Sequence, residues 1–228
     1  MTTQEFSNEF DTLLNSYSYF PASGEQSFKA EILLDEYEKS VFLTQAQEEI
    51  VKGLYTGNLT GESFEKTEEL RRYLDGLVKT VKLLPSSRVS SGIDINKSTF
   101  FELPDDVWFI TYEQAVVLDK SIKVIPMRQD EWHKNKNNPF KMPNENKIIR
   151  LDSGEGIIEL ISYSPSITEY LIRYVSKPSP IILIDLPDDL SINGECNITE
   201  CKLNAALHRV ILERAVQLAY RRFPQASK

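Results

Sequence analysis

Cysteine, histidine and glycine are scarce in this 228-residue chain, at two, two and nine copies. Cys196 and Cys201 are too few for a disulfide framework. Their spacing, with no second Cys or His pair nearby, does not complete a four-ligand zinc site, so free thiols in reducing surroundings are expected. His133 and His208 stand apart from any HExxH pattern and from any second histidine at ligand spacing, which points to non-catalytic roles. So few glycines leave no GxGxxG, GxxxxGK[ST] or GxSxG motif, and with them go the phosphate-cradling loops and the nucleophile elbow. No apolar run approaches the ~18 residues of a membrane span. The polar start Met1-Thr2-Thr3-Gln4-Glu5 is not the pattern of a signal peptide.

Positive charge is also in the minority, with 26 basic against 34 acidic residues and a net charge of −8. Broad binding to phosphate backbones needs Lys and Arg to displace condensed counterions, so general nucleic-acid binding is disfavoured. The charge is uneven along the chain: −7 over residues 1–84, −4 over 85–190 and +3 over 191–228. An acidic front and a basic tail can attract each other, within one chain or between neighbouring copies. What is present in ordinary measure is apolar content, 41% hydrophobic and 10% aromatic. That suits a globular chain of one large or two small domains.

The pattern predicts an α+β fold. It comprises N-terminal helices over 1–84, a central antiparallel β-sheet or barrel-like region over 85–190, and a C-terminal amphipathic helix within 191–228 packing back on the rest. Phe6, Phe10, Leu13 and Leu14 form one helical stripe, capped by Thr2 or Thr3. A loop is expected from Tyr17 to Ser27. Thr44 and Gln47 fit a capping box for a helix that carries Ala46, Ile50, Val51 and Leu54 and ends at Gly57. The upstream segment Leu33–Leu43 reads equally as helix or extended lead-in. A third helix is expected from near Ser63, with Glu65, Glu68 and Glu69 early, Arg71 and Arg72 late, and Leu70, Tyr73, Leu74 and Leu77 buried.

Strands are expected at Val107–Tyr112, Lys123–Met127, Lys147–Leu151, Gly156–Tyr163, Thr168–Ser176 and Pro180–Leu186. The fifth of these is apolar on both faces and therefore expected in the sheet interior. The segment Asp152–Glu155 reads as a hairpin turn. A long polar loop near 128–146 carries Trp132 and Phe140 beside Lys134, Lys136 and Lys141. Loops of this length are usually functional or ordered by a partner. Its lysines and aromatics can grip single strands, but on an acidic protein a solvated or partner-binding loop is the stronger reading. In the last helix Leu203, Leu207, Val210, Ile211, Ala215, Leu218 and Ala219 make the apolar face, opposite Arg209, Glu213, Gln217 and Arg221. Asp105-Asp106 and Asp188-Asp189 each follow a proline, and turn chemistry accounts for them better than metal binding does.

Four segments together resemble a family. They are Leu34-Asp35-Glu36-Tyr37-Glu38-Lys39-Ser40 onward to Val51, Asn138-Pro139-Phe140-Lys141-Met142-Pro143, Arg173–Leu183, and Cys201 with His208–Val216. In this order they are similar to ring proteins of tailed bacteriophages that infect Bacteroidetes, the crAss-like phages included. The resemblance implies a non-enzymatic virion protein of the phage neck or tail, made in the host bacterial cytoplasm. It implies a closed homo-oligomeric ring, commonly twelvefold, a head-to-tail connector or tail adaptor joining portal to tail. Its neighbours would be the portal protein and adjacent ring or tail proteins. Double-stranded DNA would pass without sequence-specific binding, with no cofactor, metal or membrane. Candidate assembly contacts are Trp132, His133, Phe140, Arg209, Arg221 and Arg222. Two alternatives are a small metal-dependent hydrolase or nuclease built on Asp105, Asp106, Glu159 and His133, and a phage assembly chaperone.

Overall fold

In the computed structural model, residues 1–17, 33–59, 61, 66–87, 97–164, 167–187 and 189–222 are described. They fall into two compact units, Met1–Leu77 with Pro178–Lys228, and Val78–Lys177. The expected loop at 17–27, apart from Tyr17, and the expected helix start at Ser63 and Glu65 lie outside the described residues, as does Asp188.

In the first unit Thr2 caps α1 (Thr3–Tyr17), its hydroxyl accepting from Glu5 N while Glu5 Oε2 accepts from Thr2 N. Phe6, Phe10 and Leu14, each one turn from the last, are buried as expected. Helix α2 (Glu36–Thr56) starts eight residues before Thr44, the predicted cap. The true box is Asp35 with Glu38: Asp35 Oδ1 accepts from Glu38 N at 2.7 Å and Asp35 N donates to Glu38 Oε2 at 3.2 Å. Gly57, at φ 78°, ends the helix in the left-handed conformation that glycine adopts without strain, as expected. Helix α3 (Glu68–Leu74) is shorter than predicted and continues into a 3-10 turn, Asp75–Leu77.

Thr44 and Gln47 resembled a cap because their side chains have a different polar task. With Ser40 they line one face of α2 and dock the backbone of residues 179–183. Thr44 Oγ1 accepts from Ile181 N at 3.0 Å and donates to Ile181 O at 3.3 Å. Ser40 Oγ accepts from Leu183 N at 3.0 Å, and Gln47 Nε2 donates to Ser179 O at 2.9 Å. Ile182 exchanges both backbone bonds with Thr199 in an isolated bridge. The predicted strand Pro180–Leu186 is therefore a strap on a helix, apolar because Ile181 and Ile182 are buried. Beyond it, α5 (Ala205–Arg222) packs on α1 and α2. Leu207, Ile211, Ala215 and Ala219 are buried as predicted, together with Leu212 and Val216, whereas Val210 is exposed.

The second unit is one curled, half-barrel sheet in the order β1-β7-β3-β4-β5-β6-β2. Its strands are β1 (Val78–Leu83), β2 (Ser98–Glu102), β3 (Val107–Val117), β4 (Lys120–Pro126), β5 (Lys147–Gly154), β6 (Ile157–Ile161) and β7 (Ile167–Ser176). The edge strands β1 and β2 were not anticipated; β1 lies where helix was expected. Strand β7 is interior as predicted, hydrogen-bonded to β1 and β3. The β5–β6 turn falls where a hairpin was expected. At the β3–β4 turn Leu118 and Asp119 both take positive φ, 49° and 61°. This is the twist a two-residue hairpin demands, held here without glycine.

All but one of the pairings are antiparallel; β4 and β5 run parallel. A parallel neighbour cannot be reached by a tight turn and needs a crossover of a dozen or more residues. That crossover is the predicted long loop, and it contains α4 (Gln129–Asn135). Trp132 of α4 packs with Ile149, Leu151 and Ile161 on one sheet face. The other face holds Phe101, Ile122, Val124, Ile148, Leu160, Tyr170 and Ile172.

His208 is buried between the amino group of Met1, 2.8 Å from Nδ1, and Leu203 O, which accepts from Nε2 at 3.0 Å. That pattern needs a neutral ring with its proton on Nε2. Burial, with the nearby terminal ammonium, holds its pKa below the ordinary value, against the Leu203 bond that raises it.

Two outcomes follow for stability. Thr44→Val leaves the buried Ile181 N–H without its acceptor and should cost about 1–3 kcal/mol in urea unfolding. Because the folded state disfavours protonated His208, the unfolded chain binds the extra proton as pH falls below about 6.5. The His208 contribution is whole above that pH and is lost as pH falls through the lowered folded value. Melting temperatures should drop over that window in the wild type, and a His208→Gln variant should lack that part of the slope.

Candidate functional site

The residues singled out for assembly lie on two elements, the crossover and α5. On the crossover, Trp132 is only 4% exposed and belongs to the sheet packing. His133 and Lys134 are exposed in the last turn of α4. The chain then turns around Asn138, whose Oδ1 accepts from Phe140 N at 3.0 Å and whose carbonyl accepts from Lys141 N and Met142 N. Lys147 Nζ donates to Phe140 O. The Phe140 ring is 88% exposed, although its backbone is held on both sides.

On α5 the arginines divide. Arg209 is exposed and within 3.4 Å of Glu213 one turn on. Arg221 and Arg222 end the helix, where cations are favoured by its dipole, and the Arg222 guanidinium lies 5.4 Å from the Phe42 ring centre. Arg214, which was not singled out, makes the strongest contact: Nε and Nη2 donate to Glu49 Oε2 at 2.8 and 2.7 Å. Part of the attraction between acidic front and basic tail is thus satisfied inside one chain.

Acidic groups concentrate in the helical unit. Residues 1–77 and 178–228 carry 21 acidic and 12 basic residues, a net −9, against 13 and 14 in residues 78–177, a net +1. Helix α1 has Glu5, Glu9 and Asp11 and no Lys or Arg, and α2 opens with Asp35, Glu36 and Glu38. The one cation among them, Lys39, is buried at 3% exposure. It gives all three ammonium donors away, to Asp11 at 2.7 Å, Glu36 at 3.0 Å and Ser7 at 3.2 Å. Burial opposes its charge, but the two carboxylates outweigh burial and raise its pKa.

The carboxylates of the hydrolase alternative are not brought together. Asp105 and Asp106 form the turn into β3, as expected of Pro-Asp-Asp. Asp106 is held by Lys79 at 2.6 Å and Tyr174 Oη at 2.9 Å. Burial pushes its pKa up, but these two donors prevail and hold it below the usual carboxylate range. Burial and the same carboxylate push Tyr174 up to about 12. Glu159, on β6 and bonded to Ser98, is separated from β3 in the sheet by β4 and β5, and His133 sits on α4. Among the described residues no three or more His, Cys, Asp or Glu side chains are grouped to hold a metal ion. Cys196 and Cys201 are both free thiols, and burial raises the pKa of Cys201.

One buried ionic network was missed. Arg150 Nη1 donates to Glu113 Oε1 at 2.6 Å, and Tyr170 Oη donates to Glu113 Oε2 at 2.6 Å. Asp152 lies 3.2 Å from Arg150 Nε. Burial, reinforced by Glu113, drives Tyr170 far above its ordinary range. Glu113 and Arg150 sit at core-facing positions of strands β3 and β5, and the only sequence signal was a charge in phase with buried Ala115, Val117 and Ile148.

A family model described as phage tail ring protein 3/4 matches residues 1–227. Ring protein 3 of Bacteroides phage crAss001 is 47% identical over 96% of this chain and 95% of its own length. Ring protein 4/5 of the same phage is 33% identical over 96% of this chain and 92% of its own.

Removing one side of the buried network should cost more than removing all of it. Glu113→Ala leaves the Arg150 guanidinium in the core with only Asp152 and the Tyr170 hydroxyl beside it and should cost about 3 kcal/mol. The combination Glu113→Leu, Arg150→Met and Tyr170→Phe should cost less, as read by urea unfolding of the full chain.

Proposed function

Because the chain belongs to the phage tail ring protein 3/4 family, we propose that it closes into a twelvefold ring in the neck or tail of the virion. There it acts as a head-to-tail connector or adaptor between the portal and the tail, through which double-stranded DNA passes. The observation that carries this reading is the family match along almost the whole chain, together with full-length relatives that bear the name ring protein. The subunit is made in the host bacterial cytoplasm and remains in the finished particle.

The physical chemistry agrees with a ring. Cyclic assembly uses heterologous contacts, so a subunit needs two different, complementary surfaces. Here the helical unit is strongly acidic and the sheet unit is near neutral, with lysines gathered on the crossover. A conduit for DNA also works best with walls that release no condensed counterions, which a net charge of −8 favours. The protein stands beside DNA without holding it, and its work is structural rather than catalytic.

Electron microscopy of intact virions, with the mass of the purified protein, tests this directly. The expected result is a ring of this chain in the neck or tail, its lumen poor in Lys and Arg. A persistent monomer absent from virions overturns the ring. Presence during assembly but absence from mature particles assigns a chaperone instead.

A further inference from the structure

We infer that the turn between α4 and β5 is a preformed knob, and that it docks on the acidic start of α2 in a neighbouring copy of this chain. The inference rests on the ring reading above and adds the surface that makes the contact. Phe140 is the most exposed large apolar side chain of the described residues. Its backbone is nevertheless pinned through Asn138 and Lys147, and the turn rises from Trp132, buried against Ile149, Leu151 and Ile161, with Met142 packed beside them. An aromatic ring presented on an already ordered turn loses little conformational freedom on docking, which is the condition for a strong anchor. Around it Lys134, Lys136 and Lys141 are exposed, and Glu145 is the one carboxylate between residues 133 and 147.

The complementary surface has the same plan with the opposite charge. Leu33 is 81% exposed and stands directly before the α2 start at Asp35, Glu36 and Glu38. Asp11 is tied to Glu36 through Lys39, which brings one carboxylate of α1 to the same place. Lys39 spends its charge inside that cluster, so the outward face stays negative. An exposed leucine among carboxylates suits an exposed phenylalanine among lysines: apolar area is buried at the centre and opposite charges meet at the rim. The two surfaces differ, so each copy offers one and accepts the other, as a closed ring requires.

The test uses the purified full chain and measures self-association by sedimentation at several salt concentrations. The wild type should associate and loosen as salt is raised, since rim charges are screened. Phe140→Ser and Lys134→Glu/Lys136→Glu should each weaken association at least tenfold without changing the melting temperature. Leu33→Ser/Glu38→Gln should weaken it from the other side, the glutamine keeping the acceptor of the α2 capping box, with folding checked by circular dichroism. Mixing the knob variant with the face variant should restore pairwise association only, because the native knob of one meets the native face of the other while the altered surfaces do not pair. Variants that associate like the wild type overturn the knob while leaving the ring to be judged by microscopy of virions. A wild type that stays monomeric at every concentration, or lysines that retain duplex DNA while association is unaffected, also overturns it. Trp132 is left out of the variant set, since its replacement would act through the sheet packing.

Discussion

The helical unit depends on a backbone satisfied by side chains. Where the chain returns after the sheet, residues 179–183 form neither a strand nor a helix, yet Ile181 and Ile182 are buried. Buried N–H and C=O groups must be paired. Ser40, Thr44 and Gln47 on α2 supply those pairs at residues 179, 181 and 183 across more than 130 residues of sequence, and Thr199 supplies them at Ile182. With the strap fixed, α5 packs on α1 and α2, and Arg214 meets Glu49.

In the sheet unit the governing constraint is topological. A single parallel pair, β4 with β5, obliges the chain to cross from one end of a strand to the other. The crossover is long because of that geometry. Trp132 is apolar because the crossover must cover a sheet face, and Phe140 is left over once that is done. The two aromatics of one polar segment thus have opposite roles, one anchoring and one presented. The buried Arg150, Glu113 and Tyr170 group is a second constraint of this unit. It adds no apolar burial, and its cost falls due when one member is removed.

The charge of the chain gains meaning from the same division. A net −8 read along the sequence becomes −9 in the helical unit and +1 in the sheet unit. Basic residues of the C-terminal helix are partly neutralised by the acidic helices they lie on, as Arg214 is by Glu49. The lysines of the crossover are not offset in this way. This leaves one acidic and one locally basic region on the same molecule.

Much of the local structure was legible because its causes are local. The Thr2 cap, the Phe6–Phe10–Leu14 stripe, the Gly57 stop, the Pro-Asp-Asp turn and the interior character of β7 all follow from side chains within a few residues of each other. So does the α+β class. Other features depend on distant partners. Thr44 and Gln47 match a cap in sequence, but their partners lie at residues 179–181. The apolar run 180–186 matches a strand, but Ile181 and Leu183 are hydrogen-bonded to a helix. The edge strand at 78–83 has no fully buried residue, and at 98–102 the buried Phe100 and Phe101 are adjacent rather than alternating, so only the neighbours β7 and β6 define them. The sequence by itself determined which residues want burial, where helices begin and end, and the sign of the charge. Tertiary structure alone decided where each buried backbone group finds its partner and which aromatic stays outside, because hydrogen-bond pairing and sheet order join residues that no local pattern connects.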